Sequence, residues 1–227
     1  MGKVIADVQG KVKASDTSAT FEVENATSSV NYVLSKTDGS ANDHLKTDGA
    51  GNLAWVAAPA TPGLVLITRD TFTSASTITV DGCFTSTYRN YHMLINADWG
   101  TVTNMNWTLQ FRTSGTTNTD SDYKYQADYI NASYASGTSS SSNGTTSMTI
   151  FHNADTEVNG RVEFYNPQRS VENTYFESVM FGHDDGYAKK ITAFGEFNNN
   201  VSFDGFILTS STGTCSGQYQ IFGLAES

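Results

Sequence analysis

Tyr123, Tyr125, Tyr129 and Tyr134 lie close together between two polar segments, 113–122 and 135–146. The first is built of Ser, Thr, Asn and Asp around a single Gly115. The second is Ser, Thr, Gly and Asn, with four consecutive serines at 139–142. A tyrosine ring can stack on the apolar face of a sugar while neighbouring Asn, Ser and Asp side chains accept bonds from its hydroxyls. One reading is therefore a receptor-glycan surface. The other follows from spacing: Tyr123, Tyr125 and Tyr129 share one face of a strand and pack against a neighbour.

Other residues could do chemistry, and each has a plainer reading. Glycan hydrolysis needs two carboxylates about 5–9.5 Å apart. Asp120, Asp122 and Asp128, or Glu163 and Glu172, are the candidates, but acidic residues are ordinary on strand faces and loops. His44, His92, His152 and His183 share no metal-ligand spacing. Asp155-x-Glu157-x-Asn159-Gly160 imitates the start of a calcium loop, yet position twelve is Asn166 where a bidentate Glu is required. It reads as a polar hairpin loop, and His183-Asp-Asp-Gly186 as a turn. Gly-x-Ser-x-Gly, His-Glu-x-x-His and phosphate-cradling glycine loops are absent from the sequence. The expectation is a non-enzyme with no cofactor and no bound metal.

Composition points to strands as the elements that position these residues. Ser, Thr, Asn, Gly and aromatic residues dominate, and there are only three prolines, which favours short strands joined by polar turns. A net charge of −10 with no basic stripe excludes nucleic acid as an expected partner. No apolar run approaches the roughly 20 residues a membrane span needs, so membrane insertion is not expected. The first residues, Met1-Gly-Lys-Val-Ile-Ala-Asp7, have no apolar signal core. Cys83 and Cys215 are too few for a disulfide-built scaffold. They read as two small buried residues, with a bridge closing the large domain as the alternative.

Composition changes at Pro59-Ala-Thr-Pro-Gly63, which places a domain boundary there: 1–62 and 63–227. Strands are predicted over 3–8, 19–24 and 30–34 in the first part. In the second they are predicted over 65–68, 77–80, 91–96, 107–112, 124–130, 148–152, 161–165, 175–181, 190–197, 202–208 and 219–224. Period-two alternation recurs there, as in Tyr91/Met93/Ile95 and Trp107/Leu109/Phe111, so one face of each strand belongs to a core. The expected architecture is all-β: a two-sheet sandwich, most simply a jelly roll, preceded by a slender β stalk or arm. Segments 113–122 and 135–146 are expected to be surface loops.

The first part also carries a tandem, Leu34-Ser-Lys-Thr-Asp-Gly39 and Leu45-Lys-Thr-Asp-Gly49, leading to Gly51-Asn-Leu-Ala-Trp55. Asp-Gly is a strong turn signal because Gly adopts positive φ without a Cβ clash. So few large apolar side chains cannot offset the ordering entropy of about 60 residues. Leu34, Leu45, Leu53 and Trp55 are therefore expected to pack between chains, with Asp38-Gly39 and Asp48-Gly49 setting the register.

This tandem resembles the Leu-x-Thr-x-Asp-Gly…Leu-x-Thr-Asp-Gly-x-Gly-Asn-Leu-x-Trp pattern of bacteriophage tail-fibre and related virion proteins. The matches are Thr37-Asp38-Gly39, Leu45, Thr47-Asp48-Gly49, Gly51-Asn52-Leu53 and Trp55; Lys36, His44 and Lys46 fall at variable positions. Phe84-Thr-Ser-Thr-Tyr-x-Asn-Tyr91, Gly205-Phe-Ile-Leu-Thr-Ser-Ser-Thr-Gly-Thr214 and Tyr219-Gln-Ile-Phe-Gly-Leu224 resemble the bookends of jelly-roll domains in phage fibres and head decorations. The resemblance implies a homotrimeric virion component, made in the host cytoplasm. Its N-terminal arm would attach to other capsid or tail proteins, and its head would face outward toward a host-surface glycan. The number three comes from the resemblance alone. A capsid decoration or cement protein, a carbohydrate-binding module and a glycan-cleaving spike are the competing expectations.

Overall fold

The computed structural model describes residues 20–25, 28–33, 39–50, 52–57, 63–100, 104–132, 138–154, 156–184 and 186–225. The expected strand at 3–8 and the residues Leu34, Asp38 and Tyr134 lie outside them. The chain divides into two compact units, Met1–Ala60 and Thr61–Ser227. All regular structure among the described residues is β.

The first unit contains two antiparallel hairpins. Strand β1 (Thr20–Asn25) pairs with β2 (Ser28–Val33), and β3 (Asp43–Thr47) pairs with β4 (Leu53–Ala57).

The second unit is a sandwich of two antiparallel sheets. Its strands are β5 (Gly63–Ala75), β6 (Thr77–Val80), β7 (Asn90–Asp98), β8 (Met105–Thr113), β9 (Thr116–Thr117), β10 (Tyr123–Asn131) and β11 (Thr138–Thr145). They continue as β12 (Met148–Ala154), β13 (Glu157–Tyr165), β14 (Thr174–Asp184), β15 (Tyr187–Phe197), β16 (Gly205–Ser210) and β17 (Cys215–Ala225). The larger sheet runs β11-β10-β15-β14-β13-β7-β17-β5. The smaller runs β12-β8-β16-β6, with β9 paired to β8. The pairings nest along the chain: β5 with β17, β6 with β16, β7 with β13, β8 with β12, and β10 with β11.

Alternation decides which side of each strand is buried. In β7, Tyr91, Met93, Ile95 and Ala97 are buried while Leu94, Asn96 and Asp98 are exposed. In β8, Met105, Trp107, Leu109 and Phe111 face the same interior. Aromatic rings join the two sheets. Phe164 of β13 lies 5.1 Å from Phe206 of β16 and 6.3 Å from Phe111 of β8 (ring centroids). Trp99 stacks on Phe151 at 5.8 Å and meets Trp107 edge-on at 5.0 Å. Such pairs add to what burial alone supplies.

All eleven strands expected in the second unit overlap observed ones. The polar segment 135–146 differs from expectation. Its residues Thr138–Thr145 form β11, an edge strand on β10 with Gln126 opposite Ser141 and Ala127 opposite Ser140. Backbone hydrogen bonds to β10 hold it, so it needs no apolar side chains of its own. Likewise Thr116–Thr117 of the other expected loop pair with Arg112 and Thr113.

Cys83 and Cys215 are both buried and both free, so the bridging alternative does not hold. Burial pushes the Cys215 thiol up to about 11 from 9.0. Burial pushes Cys83 up further, with the charges of Asp204 and Asp81 acting the same way. Burial also raises Tyr123, Tyr91 and Tyr219. Below pH 9.0 folded and unfolded chains both keep the Cys215 proton; above it the unfolded chain releases what the folded chain retains. These groups should therefore leave stability unchanged from neutral pH up to about pH 9 and lower it between 9 and 11. Thermal melts followed by circular dichroism across that range check this. A midpoint constant to pH 11 would mean that these groups ionise alike in both states.

Candidate functional site

The second copy of the tandem is a turn in which nearly every matched residue has a task. Asp48 N donates to Asn52 O at 3.1 Å, closing the loop between β3 and β4. Asp48 Oδ1 accepts from Ala50 N (2.7 Å) and Asn52 N (3.1 Å), and Oδ2 accepts from the Asn52 side-chain amide (2.6 Å). These bonds, the Asn52 side chain first, hold the Asp48 carboxyl below its ordinary value. Gly49 sits at φ +80° and donates its N–H to Thr47 Oγ1 at 3.1 Å. A side chain at that φ would be strained. The Thr-Asp-Gly-x-x-Asn spacing is thus a self-capped hairpin loop.

Its two strands display the apolar residues of the motif. Leu45 lies opposite Trp55 and Thr47 opposite Leu53, so all four share a face. Leu45 and Trp55 remain 37% and 40% exposed, and Leu53 is half-buried. The indole rests on the backbone of Gly39, where a Cβ would come within 2.8 Å of Trp55 Cδ2. That contact explains the glycine of the first Asp-Gly without any left-handed φ. Trp55 is therefore packed from one side and open on the other.

The tyrosine strand turns inward. Tyr123, Tyr125 and Tyr129 lie opposite Phe197, Gly195 and Ile191 of β15, on the core side of the sheet. Tyr123 is fully buried, which corrects its assignment to a receptor surface; period two placed it on the face that the second sheet covers. Its hydroxyl accepts from Phe111 N at 3.0 Å and donates to Asn118 O at 3.2 Å. Tyr125 and Tyr129 are half-buried against the core. The Tyr129 ring stacks with His152 at 5.7 Å, and Lys189 Nζ lies 3.9 Å from its centroid.

Tyr123→Phe should cost about 1–3 kcal/mol, because the buried Phe111 N–H loses its acceptor. Urea unfolding of both proteins measures it. A difference under about 0.5 kcal/mol would show that this hydroxyl is replaceable.

Each candidate carboxylate is engaged by a polar or charged partner of its own. Glu163 contacts His92 Nδ1 at 2.5 Å and Arg161 at 3.7 Å. Glu172 bonds Arg89 at 2.8 Å and lies 3.8 Å from Arg169. Asp120, Asp122 and Asp128 accept from Asn118, Asn199 and Gln126. Glu157, Asn159 and Gly160 belong to β13 and so cannot wrap a cation as a calcium loop does. Gly186, at φ +80°, sits in the β14–β15 hairpin turn. Among the described residues, no group of three or more His, Cys, Asp or Glu is placed to hold a metal ion.

Sequence reasoning missed the aromatic residues on the outer face of the larger sheet. Tyr175, Phe181 and Phe194 are 43%, 51% and 56% exposed. Each occupies the outward position of an alternating strand, so its exposure required knowing which side of the sheet the core occupies. No family model, curated protein or solved structure matches this chain.

Proposed function

We propose that the protein is a structural component of a bacteriophage virion, a homotrimeric fibre or spike whose N-terminal arm attaches to other particle proteins. Its work is binding and scaffolding, without catalysis. The observation that carries this reading is the β3–β4 hairpin. It is built by the motif that resembles phage fibres, and a single chain leaves its Leu45–Trp55 pair uncovered. Exposed apolar rings held in register by a rigid turn suit packing between identical copies.

A second support lies in the larger sheet. Among the described residues its edge strand β5 pairs only with β17, and Leu64, Val65 and Leu66 at its start are all exposed. An open strand edge with apolar side chains favours association. The nested strand pairing supports reading the head as a jelly roll, elaborated by the extra β13–β14–β15 meander and by β5 and β17. On this reading the head presents a surface to host glycans.

Light scattering on the purified chain tests the assembly. A mass of three times the 24.5 kDa chain is the expected result. A monomer at every concentration would replace the fibre reading with that of a carbohydrate-binding module. Ordering of the arm only against capsid subunits would favour a decoration protein.

A further inference from the structure

We propose that the outer face of the larger sheet, across β14, β15, β10 and β11, is a binding site for a neutral glycan. It rests on the reading of the head as glycan-presenting, and it moves the surface away from the buried Tyr123, while Tyr125 still borders the hollow of this face. A hollow of about 370 Å³ opens there, lined by Tyr175, Phe194, Glu196, Lys124, Gln126 and Ser141 among others. The core lies on the opposite side, where Phe176, Ala193, Phe197, Tyr123 and Ala127 are buried. The two rings are therefore unused by the fold.

Their arrangement suits sugars. Tyr175 lies opposite Glu196, and Glu196 is two residues beyond Phe194, so the rings are diagonal neighbours on adjoining strands. Such positions stand roughly 7–8 Å apart, a separation two linked pyranose rings can span. Each ring offers an apolar face to the C–H side of a sugar. The polar groups between them are already held in place. Glu196 accepts from Lys124 Nζ at 3.3 Å through one oxygen and from the Asn173 amide at 3.4 Å through the other. Gln126 donates to Asp128 at 3.2 Å and lies between Phe194 and Ser141 in the sheet register. Carboxylate, ammonium, amide and hydroxyl groups beside two rings match the alternating C–H and O–H surface of a sugar.

Charge selects the class. Glu177 lies opposite Phe194, and Glu163 lies opposite Glu177. Among the described residues that line the hollow, the one cation, Lys124, is already bonded to Glu196. Acidic polysaccharides would meet repulsion, so a neutral glycan fits better. The mixture of polar and aromatic lining distinguishes this face from the uniformly apolar start of β5, which suits a protein neighbour.

The test is calorimetric titration of the full chain with cellohexaose, maltohexaose and chitohexaose, and with polygalacturonate as the acidic comparison. At least one neutral hexamer should bind. Tyr175→Ala and Phe194→Ala should each weaken that binding tenfold or more, while Leu94→Ala on the same face of β7 leaves it unchanged. No binding of any neutral hexamer, preference for polygalacturonate, or wild-type affinity in both ring variants would overturn the proposal. Light scattering on the same samples separates it from the fibre reading. If the ring variants lose subunits, the face is an interface between copies and the glycan site is wrong. If the wild type is monomeric yet binds sugar through these rings, the glycan site stands and the fibre reading fails.

Discussion

Phe164→Ala should destabilise the sandwich by about 3–5 kcal/mol, the cost of emptying a fully buried phenylalanine site. Phe164 is 0% exposed and stands where the two sheets meet. Its ring contacts Phe84 at 5.1 Å, Phe206 at 5.1 Å and Phe111 at 6.3 Å. Those partners belong to the segment before β7, to β16 and to β8, so one truncation loosens three separate stretches of chain. They are themselves held by backbone pairing and cannot collapse into the vacancy. The transfer loss and the cavity loss therefore add. For a chain of this size each kcal/mol lowers the melting midpoint by about 2–4 °C, giving a fall of roughly 6–20 °C. A calorimetric scan measures it. A fall under about 2 °C would mean that the core is plastic at this point and that Phe164 does not join the sheets.

Trp55→Ser should act on assembly and leave the sandwich intact. At 40% exposure the indole has little burial to lose within one chain, and its contact with Gly39 uses only one face of the ring. In the proposed trimer the open face is covered, and each chain would lose roughly 2–4 kcal/mol of interface energy, as expected of a buried tryptophan anchor. Three copies lose it together, so the mass from light scattering should drop from three chains to one at micromolar concentration. Leu45→Ser, directly across the ladder, should do the same more weakly. Val171→Ser is the control, since Val171 is 69% exposed and far along the chain in the second unit. A Trp55→Ser protein with unchanged mass would show that the hairpin is not the seam between copies. The melting midpoint of the sandwich serves as the internal check: it should move with Phe164→Ala and stay fixed with Trp55→Ser.

Local pattern made part of this readable in advance. The all-β class followed from alternation and turn chemistry, because a strand with one buried face must repeat every two residues. Residues 91–95 and 107–111 state that period directly, and both lie in strands whose alternate side chains are buried. The Thr47-Asp48-Gly49 turn was equally legible, since its hydrogen bonds span no more than four residues. Segment 138–145 was not, because it carries no apolar alternation and its strand is held by backbone pairing with β10.

The amino-acid sequence alone determined what depends on near neighbours: the alternating strands of the second unit, the Asp-Gly turn, and the scarcity of apolar side chains in the first unit; the strands at 43–47, 53–57 and 138–145 were not foreseen. It also fixed which tyrosines share a face, since Tyr123, Tyr125 and Tyr129 alternate along one strand. Only the tertiary structure decided which way that face points. Burial belongs to the second sheet, which covers Tyr123 completely and leaves Tyr175 and Phe194 in water on the other side. Period two specifies two faces but names neither as the inside; the packing of one sheet upon another makes that choice.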